Sequence, residues 1–527
     1  MPTFPRAHRP CRGPKHRAWG LIACAVLISG GPSGANAQGA TNTGAAGVSL
    51  PANPELPVQL SLRVFVEKLL ERNKTIRSSQ NDLDIAATGV DRANATFQPV
   101  ASLSVLNGSQ RQQNTVEEEL VRSGLDVYER KGRDYSVGLT QVLPTGAKLE
   151  GKATLSRFMT NIIQKQRPDE SDNHRTYYGL SLTQPLARDA GFEAAGARLR
   201  VAELEVEAGK HALGDTEATV TAEAIVAYYD LMQSQRRLDA SVEKVNMAKR
   251  LRLLAQELLQ KGRLPKSDLW EVESSLARFE SARSESLQAE KEQANRLRTM
   301  LMAAVYETPG TLQATEPLPE TPASPPDFEA SVRTALDNRN DFRMRKIQVE
   351  RESVQLAYAH NQGLPRIDLV ASYGLNGLDL SASKAFSYDN AKNFPAWSVG
   401  LQVSVPLGAN LQAKADIAAA DVRKKDALLA LKALEVAIAN DVDTSLGLLG
   451  SAAERLGWWR EVAQRERQQL ELEHRRLQAG RSDMREVLFR EEHAINARLA
   501  VLEQQIAYAK ARAVLQAAQG ILIQQFR

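Results

Sequence analysis

Cysteine is nearly absent from this chain. Cys11 and Cys24 are the only two in 527 residues, and both precede a small-residue cleavage signal at Ala35-Asn36-Ala37. A mature chain cut there holds no thiol, which excludes disulfides, cysteine nucleophiles and cysteine-bound metal. Aromatics are scarce at 5%, too few for a compact mixed core, while Ala, Leu, Glu, Gln and Arg suit long helices. The formal net charge of +4 is small for the length, and basic residues alternate with acidic ones, so no nucleic-acid partner is expected. Beyond the amino terminus no run of 18 apolar residues occurs, which excludes a membrane-spanning helix. His174, His211, His360, His474 and His493 show no paired ligand spacing, and phosphate loops, nucleophile elbows and dinucleotide glycine patterns are missing. No enzyme, metal or cofactor is therefore expected.

What is present begins with an export signal. Arg6, Arg9, Arg12, Lys15 and Arg17 precede a short apolar stretch at 18–30, so residues 1–37 read as a secretory signal peptide. Leu21-Ile22-Ala23-Cys24 also fits a lipoprotein box, which would make Cys24 a lipidated amino terminus. Residues 38–59 read as a loose leader.

The remainder says one thing twice. Leu259-Gln260-Lys261-Gly262-Arg263 returns as Leu477-Gln478-Ala479-Gly480-Arg481, and 480 − 262 gives an offset of 218. Upstream, Gly179–Leu186 echoes in Gly400–Leu407 at an offset of 221, and Leu70, Ile76 and Pro99 echo in Leu336, Phe342 and Pro365 at 266. Each half, 60–308 and 327–527, reads as helix, strands, long helix, reversal, helix, with a Pro-rich linker at 309–326. The periodicity predicts helices over 60–97, 191–260, 266–304, 327–360, 411–478 and 482–520. Alternation predicts strands near 101–105, 135–140, 147–158, 176–186, 366–374 and 397–407, with long polar loops over 109–133, 159–175 and 375–396 and a tight turn at Pro144-Thr145-Gly146. At 1.5 Å per residue the seventy-residue helix would span roughly 100 Å.

Strands of 9–11 residues with weak alternation, long loops at one end and a short turn at the other are the pattern of an outer-membrane barrel. Tyr128, Tyr135, Tyr177, Tyr178, Tyr373, Tyr388, Phe394 and Trp397 cluster at strand ends, as an aromatic girdle or as ordinary sheet packing. Four to six strands cannot close a membrane barrel, and an open edge in lipid leaves unpaired backbone groups. A barrel shared among several chains follows. An ordinary soluble coiled coil would account for the helices alone.

The duplicated helix–strand–helix halves, Gln184-Pro185-Leu186, Val226-Ala227-Tyr228-Tyr229-Asp230-Leu231 and the two glycine turns resemble the TolC or outer membrane efflux protein family over nearly all of 60–525. The resemblance implies a mainly α fold with β, in which long antiparallel helical hairpins of three copies form an α-barrel beneath a shared transmembrane β-barrel. It implies a homotrimer in outer-membrane lipid that extends into the periplasm. Its partners would be a periplasmic adaptor (membrane fusion) protein and an inner-membrane pump or ABC exporter. The family carries an acidic residue six positions after each tip glycine. That places Asp268 and Glu486 at the periplasmic entrance, with Arg485 and Phe489 as further gating candidates, and Gly262, Arg263, Gly480 and Arg481 at the adaptor-docking tips. Where the family often has a second acidic residue this chain has Phe489, which leaves a second carboxylate ring or an apolar constriction open. The family usually contributes four strands per protomer and six are counted here, so residues 135–158 form either part of a wider barrel or a hairpin outside it.

The expected function is a passive channel for tripartite efflux or type I secretion. The alternative is a periplasmic coiled-coil adaptor or tether without a pore.

Overall fold

A computed structural model describes residues 58–168, 172–305, 310–320, 326–408, 410–479 and 481–526. The signal with Cys11 and Cys24, the leader up to residue 57, and Gly480 lie outside the described residues. The first half runs β1 (Val58–Leu60), α1 (Leu62–Arg72), α2 (Lys74–Asn94), β2 (Val100–Gln113), α3 (Val116–Val121), β3 (Val127–Val142), β4 (Lys148–Thr160), α4 (Asn161–Gln166), β5 (Asn173–Pro185), α5 (Gly191–Gln260) and α6 (Lys266–Met300). The second runs β6 (Leu312–Ala314), α7 (Phe328–Asn338), α8 (Asn340–Gln362), β7 (Arg366–Asp379), α9 (Ala382–Ala385), α10 (Tyr388–Ala391), β8 (Pro395–Ser404), α11 (Leu411–Gln478) and α12 (Met484–Ala518).

The helices form one layer. At the sheet end α2, α5, α8 and α11 lie side by side, and at the far end α6, α5, α12 and α11 do. Seventy- and sixty-eight-residue helices (α5 and α11) thus run the whole length, while shorter ones stack beside them. The continuous helices predicted over 60–97 and 327–360 are each broken once. Asn73 closes α1 in extended backbone and caps α2, its side-chain oxygen accepting from Thr75 N at 2.8 Å. The second break falls at Arg339, also extended, and 339 − 73 is the same 266 that relates the halves. At the first break the Asn73 side chain satisfies backbone groups that a straight helix would have bonded internally, whereas the Arg339 side chain makes no such capping bond.

The sheet has six antiparallel strands in the order β2-β3-β4-β5-β7-β8. Strands β2, β5, β7 and β8 each connect directly to one helix of the layer, α2, α5, α8 and α11 respectively, and the β3–β4 hairpin is inserted between β2 and β5. It is part of the sheet. The strands are longer than expected, up to 16 residues in β3, and the predicted loop 109–133 shrinks to 114–126. The reason is chemical: the outer ends of β2 and β3 are polar on both faces, so no alternation marks them, yet Gln113 pairs with Val127 in full register. Likewise the loop predicted over 375–396 is partly β7 and contains the one-turn helices α9 and α10.

The tight turn is as predicted. Gly146 has φ +86° and donates to Leu143 O at 2.9 Å. A Cβ there would meet Asp189 O at 2.2 Å, so the turn seats against the chain entering α5 and only glycine fits. This short turn therefore lies at the helical end of the sheet and the long loops at the other.

The linker holds a strand that periodicity did not reveal. β6 pairs in parallel with β1, joining residues over 250 positions apart at the middle of the helical layer. Tyr228, fully buried, fastens both: its hydroxyl donates to Leu60 O at 2.8 Å and accepts from Thr315 N at 3.0 Å and Glu316 N at 3.1 Å. Gln235 clasps β6 from α5, donating to Leu312 O at 2.5 Å and accepting from Ala314 N at 3.1 Å. Around them Phe65, Leu231 and Leu297 form the largest apolar cluster, and each such burial contributes about 1.5–3 kcal/mol. Burial pushes the Tyr229 hydroxyl up to about 12.

Candidate functional site: an amphipathic sheet and two helical tips

The six strands divide their side chains cleanly. One face carries Leu103 on β2, Val137 on β3, Ala153 on β4, Tyr178 on β5, Leu375 on β7 and Pro395 on β8, all in one cross-strand row. The neighbouring row, from Ala101 through Leu139, Gly151, Leu180 and Tyr373 to Trp397, is of the same kind. These apolar side chains are open to the surroundings, with Trp397 73%, Leu103 74% and Leu401 66% exposed. The opposite face holds Ser104 hydrogen-bonded to Ser136, Ser372 to Ser398, and the Lys148–Glu150 ion pair. Period two makes this split unavoidable once the register is set. An exposed apolar sheet face of this extent marks a lipid or protein interface. Of the predicted girdle, Tyr135, Tyr178, Tyr373 and Trp397 share the apolar face, whereas Tyr177 points to the other, where its ring abuts Gly374. Among the described residues no helix is long and apolar enough to cross a membrane.

At the far end of the layer two helical hairpins turn. Helix α5 closes with a pair of reversed hydrogen bonds, Gly262 N to Leu259 O and Arg263 N to Leu258 O, both 2.9 Å. Gly262 takes φ +68°, the left-handed residue that such a closure needs. Helix α11 closes with the equivalent long bond, Arg481 N to Arg476 O at 2.9 Å. Gly480 itself lies outside the described residues. Arg263 and Arg481 are exposed, and nothing lies within 4 Å of where a Gly262 Cβ would project. Lys261 hydrogen-bonds Glu257 one turn earlier and holds that carboxyl below its usual range.

One apolar cluster unites the tips. Val272 and Phe279 of α6, Leu251 of α5 and Met484, Val487 and Leu488 of α12 form it, with Leu258, Leu264 and Leu477 packed against it. The structure therefore brings both docking candidates to one end, side by side.

The gating candidates do not form one cluster. Asp268, half-buried, accepts from the Ser267 hydroxyl at 3.1 Å in the first turn of α6. Glu486 lies in the first turn of α12, where its backbone N is capped by Asp483 at 2.8 Å and its carboxylate takes Arg490 Nε at 2.8 Å. Arg490 also reaches Gln469 on α11 at 2.5 Å. The carboxylate that the sequence offered as a bare charge is thus already paired within its own chain. Arg485 is exposed. Phe489, 46% exposed, stacks near His493 at 4.0 Å, with the Arg490 guanidinium 5.4 Å from its ring.

Sequence reasoning missed Glu473 and Ser482. Glu473 is almost fully buried in α11, takes a short hydrogen bond from the Ser482 hydroxyl beyond the turn, and pairs with Arg476 at 3.3 Å. His474 and Glu491, 3.3 Å apart, cross-link α11 and α12 nearby. The available signal was the imperfect echo itself: seven residues before the tip glycine, Glu473 stands where the first half has Ala255, also buried.

Comparison with known proteins fits this geometry. Residues 332–521 match the family model described as outer membrane efflux protein. No curated protein matches the chain. Among solved structures, a membrane protein from Pseudomonas aeruginosa aligns over 87% of this chain and 93% of its own at 16% identity, with a TM-score of 0.63. The outer-membrane channel OprN aligns over 87% and 89% at 18% identity and TM-score 0.63. The CmeC outer membrane channel of Campylobacter jejuni aligns over 88% and 86% at 14% identity and TM-score 0.63. The recognition drawn from the sequence is supported in the second half, where residues 332–521 resemble outer membrane efflux proteins, and the fold over most of the chain is similar to that of solved outer-membrane channels.

Proposed function

We propose that three copies of this chain form a passive conduit across the outer membrane and periplasm. It would serve a tripartite efflux pump or a type I secretion system, with energy supplied by an inner-membrane pump or ABC exporter. The observation that carries the reading is polarity along one axis. An exposed apolar sheet face lies at one end, and at the other, beyond helices of about 100 Å, two tips stand side by side. A periplasmic adaptor would dock on Gly262, Arg263, Gly480 and Arg481, where the open surface at Gly262 and the exposed Arg263 and Arg481 allow tip-to-tip packing of helices.

Gating falls mainly to the α12 side of the tips. Arg485, Glu486 and Phe489 there, joined by Asp268 of α6, would face the entrance, and Glu486 would move between its Arg490 partner and the pore axis. Carboxylates converging there favour cations, and their grip on Arg490 weakens with salt. The amphipathic sheet argues against a tether without a pore, which would have no use for an apolar outer face.

Membrane fractionation followed by electrophoresis with and without heating tests the reading. A heat-sensitive trimer in the outer-membrane fraction is expected. Recovery as a soluble periplasmic monomer would overturn it.

A further inference from the structure

The sheet has two bare edges, and they complement each other. Strand β2 leads away from its helix and β8 leads back toward its own, since β2 follows α2 and β8 precedes α11. The edge of one copy therefore meets the opposite edge of the next in antiparallel sense, as every pair within the sheet already does. Both edge strands are exposed along their whole length. Both continue the same apolar face, Ala101, Leu103 and Val105 on β2 and Val399, Leu401 and Val403 on β8. An edge in lipid leaves its backbone groups unpaired, so each must find a strand.

The register also gives the slope of the strands. The apolar stretch of β8 centres on Val399, while Leu103, the centre on β2, lies level with Pro395. The stretch thus climbs 399 − 395 = 4 residues, about 13 Å, over five strand spacings of about 4.8 Å, a tilt of roughly 30°. This approaches the tilt of closed membrane barrels, roughly 35–45°.

Width then separates two possible walls. Four helices side by side at about 9 Å occupy about 36 Å of circumference. Six strands at about 4.8 Å, tilted by roughly 30°, occupy about 33 Å, whereas four would occupy about 22 Å. With the β3–β4 hairpin in the wall, the sheet is as wide as the helical layer below it. Without it, the wall would narrow by about a third.

We propose that β2 of one copy pairs with β8 of the next so that every copy gives all six strands to one closed barrel, and that the conduit consequently keeps a single bore from the periplasmic tube through the outer membrane. The inference rests on the conduit reading above; with three copies the barrel has eighteen strands and about 32 Å between opposite backbones. Its polar inner face suits bulky hydrated solutes, which meet no second constriction at the membrane.

Electron cryomicroscopy of the full chain in lipid nanodiscs counts the strands directly. Six per copy in one continuous wall is expected, with β2 and β8 of neighbouring copies in hydrogen-bonding contact. A ring with fewer strands per copy, the hairpin lying outside, would overturn this inference alone. A particle without a ring would overturn the conduit reading as well. As an independent measurement, neutral polyethylene glycols of graded size are added on the loop side of single channels in planar bilayers. In a variant lacking residues 116–170, β2 and β5 become neighbours that still run antiparallel. The accessible cross-section should fall about twofold, since area follows the square of strand number. An unchanged polymer cut-off in a variant that still assembles would overturn the inference.

Discussion

The two tips share one turn and close it with different chemistry. Both helices end on the same long backbone bond, from Arg263 to Leu258 and from Arg481 to Arg476. Three residues after each glycine stands the N-cap of the next helix, Pro265 in one case and Asp483 in the other. Proline offers no side-chain bond, whereas Asp483 accepts from Glu486 N. Across the turn the first tip has Ala255 and Leu264, and the second has Glu473 and Ser482 at the equivalent positions. Apolar packing therefore holds both tips, and the second adds a buried, charge-assisted hydrogen bond. Apolar packing responds little to pH or salt, while the polar set does. The duplication placed the same long backbone bond at both tips, and the asymmetry in what seals them suits one to constancy and the other to response.

The harshest way to break the comparison is to remove the turn itself from both tips. Trp at 262 and 480 together (Gly262→Trp, Gly480→Trp) forces a left-handed backbone on a residue with a Cβ, about 1–2 kcal/mol at Gly262, and projects a ring into open space. Export, followed as drug accumulation or secreted product, should drop to background while the heat-sensitive oligomer persists. Normal export would remove the docking role of both tips alike.

Exchanging the buried chemistry comes next. Ala255→Glu places a carboxylate where no serine faces it and should destabilise by about 3 kcal/mol or more. Glu473→Ala loses one charge-assisted bond and should cost about 1–3 kcal/mol. Adding Leu264→Ser to the first variant should recover part of its loss. Urea unfolding of the full chain measures all three, and equal losses for the two single variants would mean that the tips are not chemically distinct.

A subtler change acts on the second tip only. Arg490→Ala releases both Glu486 and Gln469 and should raise basal conductance several-fold in planar bilayers, with Arg263→Ala at the first tip as the neutral control. Were both to leak equally, gating would not fall mainly to the α12 side.

The smallest effect lies outside the tips, on the sheet-end half of α5. Burial, with Asp341 nearby, raises the Asp215 carboxyl above its usual range. A raised value means that the fold favours the protonated form, so this contribution is present below about pH 4 and lost as pH rises through the folded value. Asp215→Asn should accordingly stabilise slightly at pH 7 and not at pH 3.5 in thermal unfolding. A gain at both would point to a cause other than charge burial.

How far the sequence could be read follows from which signals are local. Helix periodicity and the tip glycines are local or repeated, and they were legible. So were the starts of β2 and β7, 100 and 366, again 266 apart. The breaks at Asn73 and Arg339 were not, since the apolar period runs on across them. The outer halves of β2 and β3 were not either, because polar residues on both faces carry no alternation. Nor was β6, whose pairing with β1 and clasp by Tyr228 and Gln235 join distant segments that have no pattern alone. Glu473 was invisible for a related reason: on an isolated helix it is one more acidic residue on a charged face.

By itself the sequence determined the duplicated order of helices and strands and a strand count too small to close a barrel alone. Those follow from side-chain period, chain length and the cost of unpaired backbone, none of which needs a fold to be known. The tertiary structure decided that the β3–β4 hairpin lies within the sheet, that the helix-side part of one sheet face is apolar across all six strands, and that the two tips share a core but differ in what seals them. Each of these depends on which strand lies beside which and on what a buried side chain meets. Such contacts between distant residues exist only once the chain has closed on itself.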